Sequence, residues 1–444
     1  MFKDDETLIP APWTLVIDDP KNEKYYLAQN YLTKKRFRFR KELAGSPLGT
    51  GSREYRPFLY AEKFLIQPDR VMKEIEEEVI RFRYGYEHNE QMVTFIPTYK
   101  CHFACSYCYN QNIRDPKQEN PLPAGEIVKI ISPVFRNSPA LTRIFSVIGG
   151  GEPMLTAQYI ADISSALKRE AEEDGCVFKL HMITNGHLMD RKTVDLLRSA
   201  GLAGVRITID PDHDNVRVLA GGGPTLDKIM ENMRALPDDV ELQISSNVPL
   251  GKLDAFRANL QRLQPLKSKI TDFNASGVMP PVTNDVVESK APFSRMFTPE
   301  HVDFLMELID ELEEAGYKRK IVWQRVECEA TRRCENVVLN MKGEVTFCAG
   351  VDGLEQCRVE INDGRLAGKR FDEIDNDSMY RDFCLGGGNP CQFMMICHTG
   401  CRMISVSNNL GWEKANCEKV FLSRASEREL IKWGENGVME VAAR

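Results

Sequence analysis

At 444 residues the chain has room for two or three domains of ordinary size. It is 42% hydrophobic and 28% charged with no long apolar run, so neither a membrane span nor an export signal is expected, and the predicted compartment is the cytoplasm. A net charge of −7 argues against nonspecific nucleic-acid binding as the main activity.

The first 90 residues are mixed. In "KKRFRFRK" (34–41), Phe37 and Phe39 alternate with Arg36, Arg38 and Arg40, which predicts a strand with one apolar and one basic face. Such a face is a solvated, charge-protected edge, a docking surface for an acidic peptide segment or, last in order, a nucleic-acid contact. "PDRVMKEIEEEVIRFRYG" (68–85) has helical period.

From about residue 92 the pattern alternates strand and helix. Apolar runs fall at "MVTFIPT", "RIFSVIGGG", "VFKLHMITNG", "GVRITID", "VELQISSNV" and "ITDFNASGV", with amphipathic stretches between them. A last helix is predicted at 298–316, with Thr298 as N-cap and Pro299 in its first turn. Six strands alternating with six helices imply a parallel α/β sheet with helical crossovers, and functional residues at the C-terminal ends of its strands.

Beyond about 320 the chain is loop-rich and carries most of its thirteen cysteines, nine of them from position 328 onward. A chain of this size with no export signal is a poor disulfide scaffold, so metal or cluster ligation is the better reading. A region with so little periodic core needs such staples.

The densest motif is "YKCHFACSYCYN" (99–110), with Cys101, Cys105 and Cys108 directly after the first predicted strand. Three thiolates leave one coordination position open, and an open position is where a ligand binds or reacts. "GGGEPML" (149–155) then ends the second strand, and "ITID" (207–210) closes the fourth, with Arg217 after it. Glycines let backbone come close to a ligand.

This combination resembles the radical S-adenosylmethionine (radical SAM) superfamily over roughly residues 92–290. The resemblance implies a partial (β/α)6 TIM-like barrel. It also implies a [4Fe–4S] cluster on Cys101, Cys105 and Cys108, whose fourth iron chelates S-adenosylmethionine. The motif positions then suggest Gly150, Gly151 and Glu152 near the cofactor's ammonium, Tyr107 against adenine, and Thr208 and Arg217 at its ribose and carboxylate. The gap between Thr208 and Arg217 is shorter than in relatives.

"GEVTFC" (343–348) and "CHTGC" (397–401) resemble the SPASM domain of peptide-modifying radical SAM enzymes. The family's interleaved pattern assigns Cys328, Cys334, Cys348 and Cys401 to a nearer auxiliary [4Fe–4S] cluster. It assigns Cys384, Cys391, Cys397 and Cys417 to a farther one, giving three clusters in all. "CLGGGNPC" (384–391) spaces its cysteines by six residues where the family uses two, so either the glycine-rich loop folds back or Cys384 or Cys357 is no ligand. Eight thiolates also fit two zinc sites, but redox work needs a redox metal. Cys176 is expected as a small buried residue in a helix–strand turn.

The expected organisation is an N-terminal extension over 1–90 offering a peptide-docking region, a radical SAM core over 91–300 and a SPASM domain over 301–444. The implied function is hydrogen abstraction from a peptide or protein substrate, maturing a ribosomally made peptide by cross-linking or oxidation. An external electron donor of flavodoxin or ferredoxin type is implied too, with no nucleic-acid or membrane partner. Sulfatase maturation is disfavoured, because Ala349 stands where those enzymes place an aspartate base and Asp352 is the nearest carboxylate. A small-molecule dehydrogenase and a non-catalytic iron–sulfur carrier are the other classes, and a carrier would need no "GGEP" element.

Overall fold

The computed structural model describes residues 7–44, 56–75, 77, 89–108, 120–277, 299–317, 336–346, 348, 358–362, 365–367, 391–393 and 419–435. In the N-terminal part, β1 (Ile9–Pro10) pairs antiparallel with β5 (Leu65–Ile66), while β2 (Thr14–Asp18), β3 (Tyr25–Asn30) and β4 (Arg36–Arg40) form an antiparallel sheet in that order. Short helices α1 (Lys41–Ala44) and α2 (Arg56–Ala61) follow β4. The alternating "RFRFR" run is the predicted strand: Phe37 meets Phe58 at 5.0 Å and Phe39 meets Phe64 at 5.9 Å, both edge-on. Its basic face is partly answered within the chain, as Arg38 pairs with Asp19 and Arg36 Nε donates to Gln29 at 3.1 Å. Of the predicted helix over 68–85, residues 68–70 form a 3-10 turn and 71–75 are helical; nearly all of the rest lies outside the described residues.

All six core strands appear where the apolar runs place them. They are β6 (Glu90–Ile96), β7 (Thr142–Val147), β8 (Val177–Thr184), β9 (Leu202–Thr208), β10 (Glu241–Val248) and β11 (Ile270–Gly277), paired parallel and in sequential order. The connections are α3 (Ala124–Arg136), α4 (Ala157–Glu173), α5 (Arg191–Ser199), α6 (His213–Val216) with α7 (Leu226–Ala235), and α8 (Leu253–Leu263). Right-handed crossovers that always step to the next position keep every helix on one face of the sheet, so the other face curves inward as a partial barrel. The helices turn Ile127, Ile160, Leu197, Ile229 and Phe256 onto the sheet, all fully buried. Asp190 caps α5 by accepting from Thr193 N at 2.8 Å.

Helix α9 (Pro299–Glu314) begins at the predicted proline and packs on β11; Thr298 lies outside the described residues. Beyond it the sheet continues. β12 (Asn336–Asn340) adds parallel to the free edge of β6, followed by antiparallel β13 (Val345–Thr346), β14 (Arg358–Asn362) and β15 (Arg365–Ala367). Gly343, at φ +80° in the β12–β13 turn, supplies the left-handed backbone that a side chain resists. The loop-rich region is thus stitched to the core through its first strand.

The last helix, α10 (Lys419–Glu435), closes the molecule. Arg424 pairs with Asp303, and Arg428 and Lys432 pair with Asp310, all across to α9. Its other side enters the N-terminal part: Leu422 joins Trp13, Tyr31, Ile66 and Phe393 in one buried cluster. Among the described residues, that N-terminal core is completed by side chains from the far end of the chain.

Candidate active site

The three-cysteine loop leaves the C-terminal end of β6 and is held by backbone. Ala104 N donates to Val218 O (2.8 Å), Ser106 N to Val216 O (3.0 Å), and Ala220 N to His102 O (2.8 Å). Residues 102–106 and 216–220 thus run antiparallel, and the segment after β9 acts as a template for the loop. Of the three cysteines, Cys105 is buried and Cys101 and Cys108 are half-buried. Burial pushes the Cys105 thiol up, and the Arg217 charge pulls it back.

The "GGGEP" turn packs on the approach to this loop. Gly151 N donates to Thr98 O at 2.8 Å and Glu152 N to Lys100 O at 2.7 Å. A Cβ at Gly151 would lie 2.0 Å from Lys100 O, and one at Gly150 would lie 2.5 Å from Tyr99 Cδ1. The close approach read from the glycines therefore exists, but its partner is the chain's own backbone beside Cys101.

Glu152 is 2% exposed. Its Oε1 accepts from Thr184 Oγ1 (2.6 Å) and Met154 N (3.0 Å), and its Oε2 from Asn185 N (2.8 Å). The carboxylate therefore ties the end of β7 to the end of β8. Burial raises its pKa above the usual range, while these three donors and the Arg217 charge oppose that rise.

Tyr107 and Arg217 meet. Arg217 Nη1 donates to the Tyr107 hydroxyl at 2.7 Å, and its guanidinium lies 5.9 Å over the Phe103 ring. Both reach Asp210, which the Tyr107 hydroxyl contacts directly and Arg217 Nη1 approaches to 3.4 Å. Burial raises the Asp210 pKa, against the pull of Arg217 and Asn247 N. Thr208 stands at the end of β9, its hydroxyl 3.0 Å from Ser245 Oγ on β10. Below it on the same face, Arg206 donates twice to Gln243 Oε1 (3.1 and 2.7 Å) and lies 3.6 Å from Asp272. Ile183, opposite Arg206 in register on β8, is 37% exposed, so this inner face is open to a ligand among the described residues.

Cys101, Cys105 and Cys108 on one loop have the donor number of a cluster with an open iron, but among the described residues no three His, Cys, Asp or Glu side chains are gathered closely enough to hold a metal ion. Buried polar atoms beside the loop also lack partners among the described residues, namely Asn185 Nδ2 and the ring nitrogens of His102. Buried polar atoms of this kind call for a polar occupant. His102 packs against His187 at 5.3 Å, and burial lowers its pKa to about 4.

Of the predicted auxiliary ligands, Cys348 packs half-buried against the barrel core and Cys391 against the N-terminal cluster, in two separate places. Cys328, Cys334, Cys357, Cys384, Cys397, Cys401 and Cys417 lie outside the described residues, as do Ala349 and Asp352. Cys176 is half-buried in the α4–β8 turn, its Sγ 3.9 Å from Ala140 O.

Sequence reasoning passed over Asn185, Thr184 and Asp210. "TNG" (184–186) and the last residue of "ITID" stood at strand ends, and that position was the available signal.

A partial parallel barrel with a three-thiol loop at the end of its first strand defines a class, and the comparisons give it a name. Residues 95–251 match the model of the Radical SAM superfamily. Two Halobacterium salinarum proteins described as probable GTP 3′,8-cyclase are 28% identical over 147 residues, which is 32% of this chain and only 37% of those relatives. Among solved structures, anSMEcpe with bound AdoMet and a Cp18Cys peptide shares the fold at a TM-score of 0.56 and 18% identity, over 78% of this chain and 99% of that one. Streptococcus suis SuiB bound to its precursor peptide SuiA aligns at a TM-score of 0.49 and 14% identity, over 93% of this chain and 99% of that one. No helix among the described residues is long and apolar enough to cross a membrane.

Proposed function

We propose that the chain is a radical SAM enzyme that matures a peptide. Cys101, Cys105 and Cys108 would hold one [4Fe–4S] cluster, and the cysteines from 328 onward two auxiliary clusters. The observation that carries the reading is the three-thiol loop, templated by 216–220 and flanked by buried polar atoms that lack partners among the described residues. With S-adenosylmethionine bound, such a centre supplies a 5′-deoxyadenosyl radical that abstracts hydrogen from unactivated C–H bonds.

The chain's own tasks are positioning and exclusion of water. Gly150 and Gly151 allow the turn to seat against the thiol loop, and Glu152 locks the adjoining strand ends. Tyr107, Thr208 and Arg217 would orient the cofactor. The inner face with Arg206, Gln243 and Asp272 would receive the substrate. An external flavodoxin- or ferredoxin-type protein would donate the electron, and the N-terminal part would dock the peptide. The peptide bound in anSMEcpe, on the same fold, supports this substrate class.

A small-molecule substrate is the second reading, favoured by the sequence likeness to probable GTP 3′,8-cyclases. Anaerobic reconstitution with iron and sulfide counting, then mass spectrometry of candidate peptides and of GTP incubated with cofactor and reductant, separates the two. About twelve irons per chain are expected from three clusters. Cys105→Ala should lose 5′-deoxyadenosine formation and keep the auxiliary iron; unchanged deoxyadenosine would refute the assignment.

A further inference from the structure

We propose that Asp210 is a positioning residue for cofactor binding, holding Arg217 and Tyr107 in the orientation in which they meet S-adenosylmethionine. This rests on the reading above and adds a residue to it.

The carboxylate divides its work between its two oxygens. Oδ1 accepts from Asn247 N at 2.6 Å and so belongs to the β10 end of the sheet. Oδ2 alone faces the Tyr107 hydroxyl and Arg217 Nη1. The Asp210 backbone is fixed separately, its N donating to His213 Nδ1 at 3.2 Å and its carbonyl accepting from Asn259 Nδ2. One oxygen is thus anchored and the other is aimed at two residues that border the thiol loop.

The Asp210 side chain is 1% exposed and that of Arg217 is 11% exposed. A cation at that depth needs a counter-charge, and Asp210 is the carboxylate in contact with it. Arg217 in turn lies 5.9 Å over the ring of Phe103, inside the thiol loop. The hydroxyl of Tyr107, next to Cys108, bridges the same two groups. Asp210 therefore links three pieces far apart in sequence: the thiol loop, the end of β9 and the templating segment 216–220.

Asp210→Asn is the selective probe. The carboxamide oxygen can keep the Asn247 contact, while the Oδ2 position changes from acceptor to donor and faces two donors. Wild-type and variant proteins are reconstituted anaerobically and their iron is counted. S-adenosylmethionine affinity is then measured by equilibrium dialysis, and the reduced cluster is followed by electron paramagnetic resonance with and without the cofactor.

The variant should keep wild-type iron and bind the cofactor about tenfold more weakly, the scale of one lost charge-assisted hydrogen bond. Its cofactor-bound spectrum should move toward the cofactor-free one. Arg217→Gln should match it, and the double variant should be no worse than either single one. Unchanged affinity and spectrum in Asp210→Asn, or additive losses in the double variant, would overturn the proposal. If Asp210→Asn loses iron, Tyr107→Phe decides: it keeps the ring, and unchanged affinity there overturns the proposal as well. A wild-type protein that binds no S-adenosylmethionine would instead sink the functional reading itself.

Discussion

A Cβ on Gly151 would stand 2.0 Å from the carbonyl oxygen of Lys100, the residue just before Cys101. No side-chain motion relieves that contact, because backbone lies on both sides of it. Gly151→Ala should therefore displace the thiol loop and lose the iron it holds, about four atoms per chain. Gly125, on the exposed side of α3 with nothing within 4 Å, is the control. Gly125→Ala should leave iron unchanged and stabilise by about 0.5 kcal/mol, read as a small upward shift in the urea midpoint.

Glu152→Gln tests the strand-end lock. Both oxygens of Glu152 accept from buried donors, and glutamine can offer only one oxygen. A donor then faces a donor, costing about 1–3 kcal/mol. The expected readout is a lower urea midpoint with an unchanged slope; a midpoint equal to wild type would show that these contacts contribute nothing net.

Acid should weaken the fold through His213. Burial, aided by the Arg217 charge, holds this imidazole at about 3, against an ordinary value of 6.5. Between those two values the unfolded chain binds a proton here that the folded chain refuses. Stability tied to His213 is therefore complete above the ordinary value and falls as pH drops, by up to about 1.4 kcal/mol per unit. His213→Asn keeps an acceptor for Asp210 N and removes the proton site. Its urea midpoint should vary less than wild type between pH 5 and 7, and equal slopes would exclude His213 as the source.

Phe393 is 1% exposed and meets Tyr31 at 5.5 Å, inside the N-terminal cluster. Phe393→Ala should cost that cluster about 3–5 kcal/mol. Faster hydrogen exchange in β2 and β3, with β6–β9 unaffected, is the expected pattern. Uniform protection would mean that the N-terminal part stands without its distant partner.

The core strands were legible because each carries a run of apolar residues closed by Gly, Asn, Asp or Pro, and the interleaved helices keep a 3.6-residue period. β12 was not. "NVVLN" is five residues long amid scattered cysteines, and its pairing with β6 on one side and β13 on the other makes it a strand. The thiol loop and "GGGEP" were likewise legible as motifs, but not the contact between Gly151 and Lys100. Asp210 was visible as a residue and invisible as a hub, since its partners lie 103 and 7 positions away and meet only once 216–220 folds back on 102–106. Local pattern reports propensity; it is silent on which loop another loop will template.

The wrap of α10 and Phe393 around the N-terminal sheet has a consequence for biosynthesis. The segment around Trp13 and Tyr31 cannot finish its core until a segment about 360 residues later has left the ribosome, because Trp13 and Tyr31 wait for Phe393 and Leu422. Contacts spanning most of the chain are slow to form and leave apolar surface uncovered meanwhile. A nascent chain stalled before residue 393 should thus engage chaperones through the uncovered faces of Trp13 and Tyr31, long after the barrel behind them has closed.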